Sequence, residues 1–357
     1  MAHIFKHPEN NNKGIIVLTH KEVNNVLPVL IKKNIEKKYF IGVHYGSYQV
    51  NVRLDPNISF VLSSKKGQSF VGHQPKKIHL LSRNFTPKAF FLDEQEKKHW
   101  DIITVSRAIK WKNLKLFLKS VRNIYDSGKK IKVLLVIPTV ELENTPEQAP
   151  RYDRDIVNFA KQLFTYDELK NITILRLSQE LGLMGIPNET ISLLMRKSKV
   201  YSLLSPSEGG NKTVTEALCS GLLCVLWKGI TGGAADPLTK NNSILVDNLT
   251  VKDVSRGLVE AIEKSSTLYS DEEYNKEYNN IIKHLREDYT IDKLKKEFYD
   301  MYEEKGQFFD GNLINTDQLN FRLPGHFHQV EWFANGSGQT SDIINQKQLD
   351  IFLSHLK

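Results

Sequence analysis

Two glutamates stand eight residues apart in one short stretch of the 357-residue chain, SPSEGGNKTVTEALCSG at 205–221. Carboxylates accept hydrogen bonds from hydroxyl groups and repel phosphates. A pair of them therefore suits a ligand that carries hydroxyls, such as a ribose diol or a sugar ring. Glu208 and Glu216 are the candidates for these two contacts.

The residues between the glutamates suit a different group, a phosphate. Gly209 and Gly210 have no Cβ, so a phosphate can approach their backbone closely. A helix that begins near Asn211 would direct unpaired N–H groups and a partial positive charge at that phosphate, and Lys212 would add a full charge. Phosphate donors beside hydroxyl acceptors favour a nucleotide sugar as the ligand.

A plainer interpretation of the same residues stays open. The glycines would then form only a turn, Ser207 or Asn211 would cap a helix, and Glu216 would be a surface residue of that helix. Short motifs often match by chance, so spacing alone does not decide between the two interpretations.

Apolar segments of strand length alternate with amphipathic segments of helix length from residue 100 onward. The predicted strands are 101–106, 132–137, 172–177, 199–205, 222–227 and 243–247, and the predicted helices are 114–125, 155–164, 188–197, 212–220 and 254–265. This alternation predicts a parallel sheet with helices on both faces, a Rossmann-like domain whose ligands bind at the carboxyl ends of the strands. The glutamate stretch begins at such an end.

The stretch resembles the EX7E signature of glycosyltransferase family 4. The residues that match are Ser207, Glu208, Gly209, Gly210, Lys212, Glu216, Ala217 and Gly221. A second resemblance lies upstream, where TVSRAIKWKN supplies Arg107 and, five residues later, Lys112 in the manner of the family's G-R-x-x-x-x-K-G. Ser106 and Asn113 stand where the family usually has glycines. The motifs occur in the family's order over about residues 100–265.

The resemblance implies a GT-B-like α/β fold, in which two Rossmann-like domains face a cleft and the N-terminal one is reduced. It also implies a retaining transferase that moves a sugar from a nucleoside diphosphate sugar to a glycan or lipid-linked acceptor, as in polysaccharide biosynthesis. The catalytic residues would be Glu208, Arg107 and Lys112. The donor-binding residues would be Gly209, Gly210, Asn211, Lys212, Thr213 and Glu216. The donor is a co-substrate, and neither a metal ion nor another cofactor is expected.

The N-terminal third matches the family least. Predicted strands at 14–19, 38–43, 58–64 and 77–82 and a helix at 25–38 indicate a small α/β domain over residues 1–95, on the acceptor side. His44 follows a strand there, and the resemblance implies a possible sugar contact for it, although a structural histidine is the commoner case. Residues 96–305 would form the nucleotide-sugar-binding domain, with two charged helices in 268–305. The tail 306–357, ending in a helix, is predicted to pack back on the N-terminal domain.

The positive charge of the chain is concentrated near its N-terminus. Residues 1–130 hold 24 Lys and Arg against 9 Asp and Glu, whereas the rest of the chain holds 25 against 32. This asymmetry favours an anionic partner. The lysines beside the apolar residues of 25–38, which would touch an anionic membrane or form a solvated helix face, are Lys32, Lys33, Lys37 and Lys38. No nucleic acid partner is expected, because the sequence carries no recognised nucleic-acid module.

The remaining sequence signals favour a cytoplasmic protein, with a peripheral position on the membrane's cytoplasmic face as the alternative. Cys219 and Cys224 have neither metal-site spacing nor a histidine cluster, which predicts two buried thiols in a reducing compartment. The first residues carry no apolar signal region, and the apolar runs are too short to span a bilayer.

Two metal-like motifs are interpreted otherwise. YDRD at 152–155 lacks the apolar strand that precedes a metal-binding D-x-D, so Asp153 or Asp155 is expected to cap a helix. HFHQ at 326–329 offers two histidines without a third ligand.

Two other functions compete with the transferase. A non-catalytic GT-B module that binds nucleotide or glycan, or acts as a scaffold, would explain the reduced N-terminal domain. A nucleic-acid binder would use the basic N-terminal third, and steep salt dependence with no nucleotide-sugar binding would distinguish it.

Overall fold

The computed structural model describes residues 2–19, 23–44, 52–63, 70–137, 149–176, 186–208, 211–232, 234–314 and 346–356. The chain forms two compact units, the first made of residues 1–85 with 287–357 and the second of 86–286. These boundaries differ from the expected 95/96 and 305/306, mainly because the helix that follows residue 286 belongs to the first unit.

The helices and strands occur in the following chain order. The strands are β1 (Ala2–Lys6), β2 (Gly14–Thr19), β3 (Tyr39–His44), β4 (Val52–Leu54), β5 (Ile58–Leu62), β6 (Phe70–Gly72), β7 (Lys76–Ile78), β8 (Trp100–Val105), β9 (Val133–Ile137), β10 (Ile172–Arg176), β11 (Ser198–Leu203), β12 (Ser207–Glu208), β13 (Leu223–Trp227), β14 (Thr231–Gly232) and β15 (Ser243–Val246). The α-helices are α1 (Val23–Lys32), α2 (Leu114–Asp126), α3 (Ala149–Leu163), α4 (Tyr166–Leu169), α5 (Asn188–Arg196), α6 (Lys212–Cys219), α7 (Val251–Ser265), α8 (Glu272–Leu285), α9 (Glu287–Glu304) and α10 (Gln346–Ser354). Short 3₁₀ turns occupy Ile35–Lys37, Ser82–Asn84, Lys110–Lys112 and Leu268–Ser270.

The first unit is built on a five-stranded sheet with the order β1-β2-β3-β5-β7. Only the β1–β2 pair of this sheet is antiparallel. Side chains alternate between its faces, so Ile16 and Leu18 pack towards α1 and α10, whereas Ile15 and Val17 pack towards α9. In the described part of this unit, helices thus cover both faces of a mostly parallel sheet.

Aromatic packing explains why α9 belongs to the first unit. The ring of Phe298 meets Phe60 of β5 edge-on at 5.1 Å, and Tyr302 meets Phe40 of β3 at 4.9 Å. The Tyr302 hydroxyl also donates to the carbonyl of Lys13. The sequence predicts the two helices α8 and α9 correctly, but helical periodicity does not reveal on which sheet each one packs.

The apolar side of α1 is part of the first unit's core. Val26, Leu27 and Leu30 are all buried beneath the helix. The basic residues around them, Lys32, Lys33, Lys37 and Lys38, are exposed. The solvated-face interpretation therefore fits α1 better than insertion of its apolar side into a membrane, although an electrostatic contact of the lysines with anionic lipid stays a prediction.

The second unit is built on six parallel strands with the order β10-β9-β8-β11-β13-β15. Counted within the unit, this is the order 3-2-1-4-5-6 of a doubly wound nucleotide-binding sheet. Helices α2, α3 and α7 pack on one face, and α5, α6 and α8 pack on the other. The predicted Rossmann-like domain is confirmed. Its strand order reverses between β8 and β11, where a crevice forms in such sheets.

The first and last residues of the second unit lie side by side. Thr86 forms a parallel bridge with Arg286, and the Thr86 N–H donates to the carbonyl of Leu285 at 2.8 Å. The second unit therefore starts and finishes at one place in the fold.

Two expectations outside the sheets are corrected or remain open. Helix α3 starts at Ala149, so Asp153 and Asp155 lie within it and neither caps it. Pro150 is tolerated in the first helical turn, and the sequence therefore allowed this earlier start. The carboxylate of Asp155 pairs with Lys115 at 2.5 Å. The histidines of 326–329 lie outside the described residues.

The predicted burial of both cysteines is confirmed, since Cys219 and Cys224 are free thiols with no exposed surface. Within the described ranges, none of the helices combines the length and apolarity needed to cross a bilayer.

Candidate active site

The candidate site lies at the point where the strand order of the second unit reverses. Strand β8 leads into the segment with Arg107 and Lys112, and the neighbouring strand β11 leads into Glu208. Because carboxyl ends of parallel strands meet at one edge of a sheet, the two sequence motifs are brought together there. Sequence places these motifs about 100 residues apart, and the strand order makes them neighbours.

A tight turn after β8 positions Lys112. The 3₁₀ turn Lys110–Lys112 ends at Asn113, whose φ of 55° and ψ of 31° are left-handed. Asparagine tolerates this conformation better than most residues, which explains how it can replace the family's glycine. Its side-chain amide also donates to the carbonyl of Leu204 at 2.8 Å. Asn113 therefore ties the turn to the segment that follows β11.

Lys112 and Glu208 are in direct contact. The Lys112 ammonium donates to a carboxylate oxygen of Glu208, and the two side chains are only 10% and 12% exposed. Glu208 is held on its other side by the short parallel pair of β12 and β14, in which it lies opposite Gly232. The Thr231 N–H adds a bond to the carbonyl of Pro206 at 3.0 Å. The Lys112 ammonium and the Glu208 carboxylate thus form a mostly buried ion pair.

The amino end of α6 is fixed by a chain of polar contacts. Asn211 is the N-cap, and its side-chain oxygen accepts from the Val214 N–H at 3.3 Å. The same oxygen accepts from the Thr213 hydroxyl at 2.5 Å, and that hydroxyl shares a 2.6 Å hydrogen bond with the phenol of Tyr201. The cap confirms one part of the plainer interpretation, and it also sets the helix end beside Glu208.

Glu216 is not a surface residue. It is 1% exposed, on the buried side of α6. The pKa of Tyr201 is raised, first by complete burial and additionally by the negative charges of Glu208 and Glu216. Tyr201 packs in one apolar cluster with Val214 and Ala217 of α6, so the helix that carries Glu216 lies against the strand that leads to Glu208.

The carboxyl end of α6 is closed by a glycine turn. Gly221 has a φ of 78°, its N–H donates to Leu218, and the Leu222 N–H donates to Ala217, each at 3.0 Å. This is a Schellman motif, which requires the left-handed conformation that glycine adopts freely. The last glycine of the sequence motif therefore has a structural role, and it ends the helix.

Three tyrosines satisfy the carbonyl groups at that end. Tyr269 and Tyr274 donate to the carbonyl of Gly221 at 3.2 and 3.0 Å, and Tyr278 donates to the carbonyl of Cys219 at 2.8 Å. Burial raises the pKa of all three phenols, that of Tyr269 to about 12. They therefore stay protonated and keep donating at neutral pH.

The other predicted site residues differ in what the structure shows of them. Arg107 is exposed, and its guanidinium has no hydrogen-bond partner among the described residues. Lys212 is half-buried at the start of α6. His44 ends β3, opposite Thr19 and Leu62, in the first unit. Gly209 and Gly210 lie outside the described residues.

The sequence analysis missed two residues that build the site, Tyr201 and Asn113. Tyr201 was hidden inside an apolar strand, and only its hydroxyl distinguished it from its neighbours. Asn113 carried a usable signal, because an asparagine in place of a glycine is itself a mark of a left-handed residue. The part of the chain that the structure describes contains no group of three or more His, Cys, Asp or Glu side chains arranged to hold a metal ion.

Neither a family model nor a curated protein matches the sequence. Similarity appears at the level of solved structures. One is the pneumococcal O-GlcNAc transferase GtfA in complex with UDP and GlcNAc, at 14% identity and a TM-score of 0.53, with 80% of this chain and 56% of that chain covered. The chain has the GT-B fold.

Two further structures support the same fold. The α,α-trehalose 6-phosphate synthase from Burkholderia multivorans aligns at 11% identity and a TM-score of 0.54, covering 81% of this chain and 72% of that one. The sucrose-phosphate synthase from Thermosynechococcus elongatus aligns at 12% identity and a TM-score of 0.54, covering 81% of this chain and 74% of that one. The chain spans only 56% of the pneumococcal protein's length. At these identities the similarity establishes the fold alone.

Proposed function

We propose that the chain is a retaining glycosyltransferase of family 4 that moves a sugar from a nucleoside diphosphate sugar to a glycan or lipid-linked acceptor. One observation carries the proposal. The contact between Lys112 and Glu208 joins the upstream cationic motif to the EX7E motif where the strand order reverses. A chance match of two short motifs gives no reason for them to meet at the ligand-binding edge of a sheet.

The proposed chemistry assigns each charge a task. The bond between the anomeric carbon and the diphosphate breaks, and the nucleoside diphosphate leaves with the bonding electrons. Lys112, Arg107 and the N–H groups that begin α6 stabilise the charge that develops on the leaving phosphate. The acceptor oxygen bonds to the anomeric carbon on the face that the phosphate leaves, and the acceptor proton passes to that phosphate.

The two glutamates hold hydroxyls and stabilise positive charge. Glu208 orients the donor sugar and stabilises positive charge at the anomeric carbon, and Glu216 binds the ribose. Binding of the donor gives Lys112 a phosphate partner in place of Glu208, which releases the carboxylate for the sugar. The remaining donor contacts come from Gly209, Gly210, Lys212 and Thr213, and His44 is a further candidate for a sugar contact.

The solved structures supply independent support, limited to the fold. The pneumococcal protein is named an O-GlcNAc transferase and was crystallised with UDP and GlcNAc. The Burkholderia and Thermosynechococcus proteins are named as synthases of phosphorylated sugars. We propose that the present chain uses a nucleotide sugar, in the cytoplasm and without a metal ion.

A non-catalytic GT-B module is the second candidate. The observation in its favour is the modest sheet of the first unit, which among the described residues has five strands, one of them only three residues long. Such a module would bind nucleoside diphosphate or glycan and would turn over no donor.

Release of nucleoside diphosphate by the purified protein separates the two candidates. A panel of UDP-, GDP- and ADP-sugars is tested with and without EDTA, and the anomeric configuration of any product is read by NMR. We expect release from one donor, unchanged by EDTA, with the anomeric configuration retained. Binding without release would favour the non-catalytic module, and inversion would refute the retaining mechanism.

Two lysines of the same turn provide a matched pair of variants. Lys112→Ala removes the cation that contacts Glu208, whereas Lys110→Ala removes an exposed cation two residues away. We expect the first variant to lose about 100- to 1,000-fold in kcat, since a preorganised group at the developing charge contributes about that much, and the second to stay near wild type. Equal effects of the two substitutions would contradict the assignment of Lys112.

A further inference from the structure

Trp111 is an exposed tryptophan immediately before the lysine of the candidate site. Its side chain is 54% exposed, and it makes neither a hydrogen bond nor a ring contact with any residue that the structure describes. The other described tryptophans are engaged. Trp100 meets the ring of His99 at 4.6 Å, and the Trp227 indole donates to the carbonyl of Asp247 at 3.1 Å. A large apolar ring left in solvent beside a site is a candidate ligand contact.

The backbone places Trp111 close to the reacting groups. Its Cα is about 3.8 Å from that of Lys112, as for any consecutive pair. A 3₁₀ turn has about three residues per turn, so consecutive side chains point roughly 120° apart. Lys112 points towards Glu208, whereas the ring of Trp111, on the same turn, is exposed to solvent.

We propose that Trp111 is a stacking surface for a pyranose ring of the acceptor, so that the acceptor of this enzyme is a saccharide. This inference rests on the proposed transferase function. Glu208 marks the sugar end of the donor, and Glu216 on α6 marks the ribose end. Trp111 belongs to the turn that contacts Glu208, so it borders the sugar end, where the acceptor must enter.

The neighbours of Trp111 favour a saccharide over a lipid chain or a nucleobase. The ring stands between Lys110 and Lys112, whereas a lipid chain requires a contiguous apolar surface. A sugar combines an apolar C–H face, which stacks on an aromatic ring, with hydroxyls that bind nearby polar groups. A nucleobase would have to stack at the ribose end.

The test compares Trp111→Ala with Trp111→Phe in the full-length protein. Tyr166→Ala removes another exposed aromatic side chain of the second unit, 79% exposed, and is the matched control. Two readouts are used for each protein. The first is calorimetric titration with maltotriose, cellotriose and chitotriose. The second is nucleoside diphosphate release from the active donor, with and without the trisaccharide that binds.

We expect Trp111→Ala to weaken trisaccharide binding and to lower acceptor-dependent kcat/KM by about tenfold or more, as for loss of one aromatic contact. Hydrolysis of the donor without acceptor should stay within about twofold of wild type. Trp111→Phe should recover most of the loss because it keeps a ring, and the control should match wild type.

Three results would overturn the inference. These are wild-type trisaccharide binding by Trp111→Ala, no binding of any trisaccharide by the wild type, and a raised donor KM without an acceptor effect, which would indicate base stacking. Failure of the transferase proposal looks different. The wild type would then turn over no donor, yet a Trp111-dependent titration with trisaccharide would still support the sugar surface.

Discussion

The two ends of helix α6 are built in opposite ways. At the carboxyl end, a glycine turn and three tyrosine phenols satisfy the terminal carbonyls from within the chain. At the amino end, the cap of Asn211 satisfies the Val214 N–H, and a charged pair, Lys112 with Glu208, lies beside it. One end is therefore complete without a ligand, and the other carries charges suited to bind one.

This difference separates stability from chemistry within a single helix. Groups that the chain satisfies by itself contribute to the free energy of unfolding. Groups that exchange partners with a ligand contribute to binding and to rate. Substitutions at the amino end should therefore change activity, and substitutions at the carboxyl end should change the melting temperature.

The largest effect is expected from Glu208→Gln. The substitution keeps the shape of the side chain and removes the charge that, in the proposed mechanism, stabilises the anomeric centre, so kcat should fall about 100- to 1,000-fold. Circular dichroism should show a nearly unchanged Tm. Glu260→Gln, at an exposed position of α7, is the control. Wild-type turnover by the Glu208 variant would remove this residue from the mechanism.

A smaller effect is expected from Glu216→Gln, at the proposed ribose contact. Hydrogen bonds to a charged acceptor contribute about 1.5–3 kcal/mol, so the affinity for nucleoside diphosphate should fall about 10- to 100-fold. Titration with a 2′,3′-dideoxy nucleotide sharpens the test. The wild type should lose affinity for this analogue, whereas the variant should bind both nucleotides equally weakly. A variant that still prefers the ribonucleotide would show that another group reads the ribose.

At the carboxyl end, Tyr278→Phe should lower stability and leave kcat nearly unchanged. The phenol donates to the Cys219 carbonyl and accepts from the Leu92 N–H at 2.9 Å, so its loss leaves two backbone groups without this partner, at a cost of about 1–3 kcal/mol. Thermal unfolding measures this loss. Tyr166→Phe, at an exposed tyrosine, should leave the Tm unchanged. A Tyr278 variant with an unchanged Tm and no activity would contradict the assignment of stability to the carboxyl end of α6 and of activity to its amino end.

The same phenols predict the smallest effect, a sensitivity to high pH. Their pKa values are raised in the folded state, to about 12 for Tyr269, above the ordinary value of about 10. Folding therefore favours the protonated phenol, and this contribution is complete below pH 10 and is lost as pH rises towards 12. Tm measured from pH 9 to 11.5 should fall less steeply in Tyr269→Phe than in the wild type. Equal slopes would show that this phenol is not protected.

The sequence predicts the second sheet well because its strands are buried on both faces. Continuous apolar runs such as VLLVI at 133–137 identify such strands directly. β1 was missed because AHIFK has neither a long apolar run nor strict alternation, and β12 and β14 because two residues carry no periodic signal. The sequence does not reveal that α9 packs on the sheet of the first unit, because this packing depends on contacts with Phe60 and Phe40, which lie more than 200 residues away.

The sequence indicates which residue types form the candidate site, but it leaves most of their geometry open. The sequence indicates Lys112 and Glu208, but their direct contact depends on the strand order of the sheet. Asn113 stands where the resembled motif has a glycine, and the structure shows that the asparagine itself supplies the left-handed residue of this turn. The burial of Glu216 required the packing of α6 and could not be read from its spacing.

The bridge between Thr86 and Arg286 determines how the chain can be divided into fragments. Because the second unit starts and finishes at one place, it has the form of an inserted domain, whose ends meet without a span to be bridged. Residues 86–286 can thus be expressed as one uninterrupted fragment, or reconnected end to end and opened elsewhere. The sequence of the first unit, in contrast, is interrupted, and joining residue 85 to residue 287 is the natural way to restore its continuity.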